Sequence, residues 1–380
     1  MKMAVKKNIL LLTVLAVLIS LCLVFASCDS GSSDSSNPTP VSVTYTVSFN
    51  ANGGSGIMAS VDVENGTSCE IPPNGFTASA IDGLPNGVAS NKKFFTGWNT
   101  EADGSGTAYV PGDTIKNVSS SITLYAQWVK PVFTVANNKK VYFSQGNLWY
   151  GKAGSATTAT FNFENDQYSF QKEYDSDNWG NNNHISHFYW GKTESVAYAV
   201  EYSELGITTS DVFFANSSDF TVNGVTGQYR VLSKDEFQYL FNTSGTSGRE
   251  DEKRFAICKY DTDKVGMLIF PDGWKVWPSD AGEEPTYNKT TWINCGSKTY
   301  SIDELNKLCA AGAIFLPATG YRFGSSIDCV GPLGYYWSAA AYEDGINYAY
   351  KLYFDGGDVS PAGIDYRGFG FSVRLVVAEN

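Results

Sequence analysis

Hydrophobic and polar positions change their period several times along this chain, and each change marks an element. Ile9 to Ala26 is apolar except for Thr13 and Ser20, and it follows a short start carrying Lys2, Lys6 and Lys7. A charged start before an apolar core is the pattern of an export signal. From Tyr45 the period becomes two: Tyr45, Val47 and Phe49 alternate with polar residues before Asn50-Ala-Asn-Gly-Gly54, which predicts a strand entering a turn. Ile122, Leu124, Ala126 and Trp128 alternate in the same way. Between them, Phe94-Phe-Thr-Gly-Trp-Asn-Thr100, Gly104-Ser-Gly106 and Pro111-Gly-Asp-Thr-Ile115 are turn elements around short apolar pieces, so residues 44–129 form a small β-rich module. Trp98 and Trp128 are expected in its core.

A second unit begins at Lys130-Pro131 and runs to residue 380. Phe133, Val135, Val141 and Phe143 flank Asn137-Asn-Lys-Lys140, which predicts a hairpin. The polar, aromatic stretch to about Ser218 contains Asp177-Asn-Trp-Gly-Asn-Asn-Asn-His184, a run too rich in Asn and Gly for regular structure and expected as a loop. Ser233-Lys-Asp-Glu236 and Ser301-Ile-Asp-Glu304 are capping boxes, in which the Ser oxygen and the Glu carboxylate satisfy unpaired amides. Phe237, Leu240 and Phe241 give the first helix an apolar face, and Leu305, Leu308 and Cys309 the second. Residues 313–316, 335–338, 348–354 and 369–377 are expected strands, the last two alternating at period two, with 355–358 and 360–368 as exposed links. The fold class is therefore α+β and rich in β structure.

Composition agrees: 23 Tyr, 23 Phe, 9 Trp and 37 Gly beside only 17% charged residues suit pleated strands and tight turns. Removal of the signal, which holds three lysines and no acid, takes the formal charge from −12 to −15. So acidic a surface repels nucleic acid, which is excluded as a partner. Cys69, Cys258, Cys295, Cys309 and Cys329 include no C-x-x-C pair, so no zinc or redox motif is implied; Cys309 and Cys329 are a possible disulfide in an exported protein. Cys28 is the candidate lipid-attachment residue. Phe25-Ala26-Ser27-Cys28 resembles the lipobox of bacterial lipoproteins, while Val24-Phe25-Ala26 suits ordinary signal peptidase. The Ser- and Pro-rich residues 28–43 would then tether the folded part, with residues 1–27 as signal peptide, placing the chain lipid-anchored in the cell envelope, at the outer membrane or cell surface.

The Tyr-x-Val-x-Phe-x-x-Asn-Gly-Gly start, the Gly97-Trp98 core and the Leu124-Tyr-Ala-Gln-Trp128 ending resemble the Listeria/Bacteroides repeat, also described as the internalin B-repeat type. The resemblance implies a β-grasp-like fold serving as a spacer or interaction module on bacterial surface proteins. Residues 69–89 make a longer insert than this repeat usually carries. Phe143-Ser-Gln-Gly-Asn-Leu148, Tyr229-Arg-Val-Leu-Ser-Lys-Asp-Glu-Phe237, Leu316-Pro-Ala-Thr-Gly-Tyr-Arg322, Tyr336-Trp-Ser338 and Gly370-Phe-Ser-Val-Arg374 look like the Fibrobacter succinogenes major paralogous domain. That group is similar in turn to the formylglycine-generating-enzyme branch of the C-type lectin fold. A larger C-type-lectin-like α+β domain over 130–380 is what this implies.

No catalytic set stands out. His184 and His187 form His-x-x-His near Asp175 and Asp177, but without a third identifiable ligand a surface loop is the expectation, with no metal and no cofactor. Cys309 and Cys329, twenty positions apart, do not reproduce the closely spaced cysteine pair of the formylglycine-generating enzymes. Glu284-Pro-Thr286 lacks the amide of the calcium-dependent lectins. What remains is recognition by a loop surface. Tyr342, Glu343, Asp344, Asn347, Asp355, Asp358, Asp365, Tyr366 and Arg367 fall in or beside the terminal loops and are the candidate ligand-binding residues. The expected function is non-enzymatic: an envelope lipoprotein, held to a membrane by its N-terminal lipid, that presents a lectin-like domain, in a narrower version a surface-variable one, to an extracellular glycan or protein. The alternatives are an oxidase related to the formylglycine-generating enzymes and a purely structural envelope protein.

Overall fold

The computed structural model describes residues 42–152, 158, 160–170, 184–191, 213, 221–241, 255–285, 294–324 and 326–379. The export segment, its tether with Cys28, and Asp175 and Asp177 lie outside them. The described part is β-rich, with two helices among these residues, and Val43–Asn380 forms one compact unit.

At the start of that unit, strand Thr44–Asn50 lies parallel to Ile122–Val129, with Val47 opposite Ile122, in the centre of a five-stranded sheet. Val61–Glu64 pairs outside the first of these; Phe94–Asn99 and then Ala108–Tyr109 pair outside the second. Inward positions of the two central strands, Val47, Leu124 and Ala126, are fully buried, as the period-two pattern requires. The Gly-Trp pair has a steric cause. Gly97 sits at a register shift with φ +138, where a Cβ would lie 2.7 Å from the Tyr109 carbonyl oxygen, so only glycine fits the bulge. The bulge turns Trp98 into the core, 1% exposed, against Phe49, Phe76 and Phe95.

This module keeps its own core but is docked through its long insert. Val88 bridges Ser144, the Ala89 amide donates to Phe143 O (2.8 Å), and the Gln145 amide donates to Gly87 O (2.7 Å). The Tyr229 hydroxyl donates to Asn86 O at 2.8 Å. Gly87, at φ +91, lies so close to the Phe163 ring that a Cβ would stand 2.7 Å from it. Leu84 and Val88 pack on one cluster of the larger part, and Phe94 belongs to another beside Trp274.

In the larger part the predicted hairpin forms from Phe133–Ala136 and Lys139–Phe143, with Asn138 at φ 56 in the turn. It joins Leu375–Ala378 and Tyr229–Val231 in one four-stranded sheet. A second sheet holds Asn294–Tyr300, Phe255–Tyr260, Lys264–Ile269 and Ile314–Pro317. Helix α1 (Lys234–Phe241) buries Phe237, Leu240 and Phe241, and helix α2 (Ile302–Ala310) buries Leu305 and Leu308. Both capping boxes close as expected: Glu236 N–H to Ser233 Oγ (3.2 Å) with Ser233 N–H to the Glu236 carboxylate (2.9 Å), and the same pair at Ser301 and Glu304. Glu236 also takes two bonds from Arg230, at 2.6 and 2.8 Å.

The C-terminal region differs from expectation in two places. Residues 369–377 do not make one strand. Gly370–Phe371 pairs with Phe188–Tyr189, while Leu375–Ala378 enters the hairpin sheet, and the chain changes sheets at the buried Arg374. Residues 360–368 do not form an exposed link either; most of them lie in strand Val359–Tyr366, the edge of a three-stranded sheet with Tyr348–Phe354 and Gly334–Ala341. Pro361 is tolerated because it sits at an edge and at a register shift, where no ladder amide is demanded. Of the expected loop Asp177–His184 only His184 lies among the described residues, and Thr160–Phe163 before it and Phe188–Tyr189 after it are short strands.

Candidate functional site

The nine residues singled out from sequence sit on the three-stranded C-terminal sheet, at its two ends. Tyr342, Glu343, Asp344 and Asn347 form the connection between Gly334–Ala341 and Tyr348–Phe354, and Tyr366, opposite Tyr348, and Arg367 lie beside it. Asp355 and Asp358 make the turn at the other end, about 20 Å away along the seven-residue strand. Several of these groups are committed to the fold. Arg367 is fully buried, its guanidinium 4.2 Å above the Trp190 ring, with Nε donating to Tyr348 O (2.9 Å) and its amide to Asn347 O (2.9 Å). It anchors the sheet rather than displaying charge. Asp355 accepts from the Tyr353 hydroxyl (2.7 Å) and from the Gly357 and Asp358 amides (both 2.8 Å). Burial pushes its carboxyl up, and these bonds outweigh that, holding it below the usual range. Asp358 closes the same turn through the Val359 amide.

Asp365 is ion-paired with Lys351, a residue only 8% exposed whose ammonium lies 4.3 Å above the Tyr335 ring. Burial lowers the Lys351 pKa and Asp365 opposes the shift. At the first end, Glu343 accepts from the Tyr350 hydroxyl at 2.7 Å, which holds its carboxyl below the ordinary value, and Lys234 of α1 covers the Tyr350 ring at 4.4 Å. The Tyr342 ring meets Tyr350 edge-on, and Asp344 is exposed.

What links the two ends is a run of aromatic rings that sequence reasoning did not assemble. Tyr348 contacts Tyr366 (6.2 Å between centroids), Tyr366 contacts Phe369 (6.2 Å), and Phe369 contacts both Phe323 (5.4 Å) and Tyr321 (5.3 Å). Tyr321 meets Tyr335 (5.7 Å), and Tyr335 meets Tyr353 (5.2 Å), whose hydroxyl binds Asp355. Burial and the nearby Asp365 push the Tyr335 phenol up to about 12. Phe323 is 49% exposed, Ile346 46%, and Tyr348 and Ile364 43% each, so several apolar side chains of this region are open to solvent. Tyr321 and Phe323 come from strand Tyr321–Phe323, which begins within the Leu316–Arg322 motif, and strand pairing rather than local sequence brings them here.

The motifs carrying the second resemblance build scaffold instead. Arg374 is 2% exposed; its Nε donates to Asn147 Oδ1 (3.0 Å) and its amino groups to the carbonyls of Ser144 (3.2 Å), Gln167 (3.2 Å) and Phe315 (2.9 Å). Asn147 donates to the Tyr336 hydroxyl (3.2 Å), which donates to Pro317 O (2.9 Å). His187 is likewise structural: 1% exposed, its Nε2 lies 3.0 Å from Thr319 O and its Nδ1 3.3 Å from Ser186 Oγ, contacts that suit a neutral ring with the proton on Nε2. Burial, against the Thr319 bond and reinforced by Arg322, lowers its pKa to about 4. His184 stacks on Trp149 at 4.2 Å and pairs with Glu164 at 2.7 Å. Cys309 and Cys329 are free thiols, so the disulfide that sequence allows is not made. Burial drives the Cys309 thiol up to about 12.

Among known proteins, residues 45–127 match the Listeria-Bacteroides repeat domain. A protein of Evansella cellulosilytica whose assigned name describes a Gly-rich membrane protein is 48% identical over 61 residues, which are 16% of this chain and 7% of that protein. Another from that organism, named as a membrane protein, is 51% identical over 54 residues, 14% of this chain and 7% of its own length. The chain thus spans about 7% of the length of these curated relatives. No solved structure matches it. The Listeria-Bacteroides repeat domain is found at residues 45–127, the segment that holds the parallel central strands and the bulged Gly97-Trp98.

Proposed function

We propose that this chain is a non-enzymatic lipoprotein of the cell envelope, anchored through Cys28, that holds a C-type-lectin-like domain outward to bind an extracellular ligand. The repeat, on this reading a β-grasp-like module, is a fixed base for that domain. The observation that carries the proposal is the aromatic run from Tyr348 to Tyr353, in which Tyr348 and Phe323 are half-exposed. Phenols with apolar bodies and polar tips, set among Asp355, Asp358 and Glu343, make a composition suited to a protein partner with a neutral or basic face. The names of the two relatives agree with an envelope location. A formylglycine-type oxidase is disfavoured because it needs a reactive thiolate, and the Cys309 thiol at about 12 is almost wholly protonated near neutrality.

The test is capture of the labelled full chain on arrays of extracellular proteins and glycans, repeated with Tyr348→Ala/Phe323→Ala. Both side chains are half-exposed, so their loss spares the core. We expect a hit that weakens at least about tenfold in the double variant. Binding that is unchanged by it would sink this face as the site.

A further inference from the structure

A second concavity lies where the repeat meets the larger part, well apart in sequence from the C-terminal sheet. It encloses about 250 Å³. The repeat contributes Phe95 and Trp128 to its wall, and the larger part contributes Trp274 and Trp277, with Asp280 at the rim. Phe95 and Trp128 meet edge-on at 5.7 Å, and Trp274 and Trp277 at 6.3 Å. Trp128, expected from sequence in the core, is instead only half-buried.

The three indoles differ in how their N–H groups are used. Trp128 Nε1 donates to Ala51 O (2.8 Å) and Trp277 Nε1 to Gly282 O (2.9 Å), which fixes both rings. Trp274 is 5% exposed, and its Nε1 is buried without a hydrogen-bond partner among the described residues. A buried donor left open is rare in native proteins and calls for an acceptor. Asp280, whose side chain is 68% exposed, lies 3.6 Å from Lys307 Nζ and retains acceptor capacity.

We propose that this cleft seats one neutral pyranose residue of an extracellular glycan. Such a ring offers an apolar C–H face to the aromatic wall and hydroxyls to Asp280, and a small turn of the Trp274 ring on binding would bring its open Nε1 to a hydroxyl, so it meets both chemistries of the wall. The volume lies just below the range for drug-sized ligands, which fits a single ring. Lys93 and Asp280 both line the cleft, so its charges offset, and with a formal charge of −12 on the chain a neutral sugar is favoured over an anionic one. The site is independent of the C-terminal aromatic face.

The experiment follows indole N–H resonances of the ¹⁵N-labelled full chain, in a detergent without a sugar head group. Methyl glycosides of glucose, galactose, mannose and N-acetylglucosamine are added to ~50 mM, enough to saturate a millimolar site. Trp274→Phe assigns its resonance. We expect that resonance to move saturably with at least one glycoside, Asp280→Ala and Trp277→Ala each to weaken binding at least about tenfold, and Tyr348→Ala/Phe323→Ala to leave it unchanged. Because Trp277 is half-buried, Asp280→Ala is the deciding variant, with the remaining indole spectrum reporting that the fold is intact. No movement with any glycoside, or movement undiminished by Asp280→Ala, would overturn the proposal.

Discussion

Two buried side chains govern how this molecule responds to acid and to substitution. His187 titrates at about 4 in the fold against an ordinary 6.5, so the unfolded chain binds more protons between those values. The stability it secures is complete above about pH 6.5, falls as pH drops toward 4, and amounts to about 3 kcal/mol across that window. Urea unfolding at pH 7 and pH 4 should show that loss in the native chain, and a loss smaller by about that amount in His187→Gln, whose amide can still donate to Thr319. Arg374 places five donors among four acceptors, all with fixed direction. Arg374→Met should cost upwards of about 3 kcal/mol in thermal unfolding, because it strands buried carbonyls. Arg374→Lys should recover little, since an ammonium cannot span the planar fork. That Asn147 and Arg374 matter was visible in their motifs; that they serve one network was not, because 227 positions separate them.

At the scale of elements, local signals were read well where the cause is local. Both capping boxes close where the Ser-x-x-Glu spacing puts them, and Ser233→Ala should lower stability by about 1 kcal/mol by chemical denaturation, through loss of the α1 cap. Strand Tyr348–Phe354 forms where its alternation puts it and buries Tyr350, Leu352 and Phe354, but Tyr348 is exposed and Ala349 and Lys351 on the other face are buried as well. The stretch 369–377 carries the same period but splits between sheets, since alternation reports which side is buried and not which neighbour is paired. The insert of the repeat shows the same limit: its length is plain in the sequence, its docking onto Ser144 and Tyr229 is not. Gly87→Ala forces a Cβ toward Phe163 in a conformation glycine favours. It should speed amide exchange at Ala89 and Gln145 and open the insert to proteolysis, while Trp98 in the repeat core stays protected.

For the whole molecule, placement and display are coupled. Mass spectrometry of the native N-terminus is expected to find lipidated Cys28; an unmodified Ser27 would mean release by ordinary signal peptidase. Residues 45–127, where the Listeria-Bacteroides repeat domain is found, have their own buried core, yet shared hydrogen bonds join them to the rest of one compact unit. Calorimetry should accordingly show one unfolding transition for the native chain and a separated second one in Gly87→Ala.

The sequence alone determined the properties that follow from composition and short spacing: the acidic surface, the β-rich class, the repeat, the helix caps and the exposed position of residues such as Glu343 and Asp344. Tertiary structure decided what depends on distant strands meeting. It buried Arg367 over Trp190, drew Tyr321, Phe323 and Phe369 into one run with Tyr348, and set Trp128 against Trp274 across a cleft. Burial and ring contact are properties of pairs, and the pairs that matter most here are far apart along the chain.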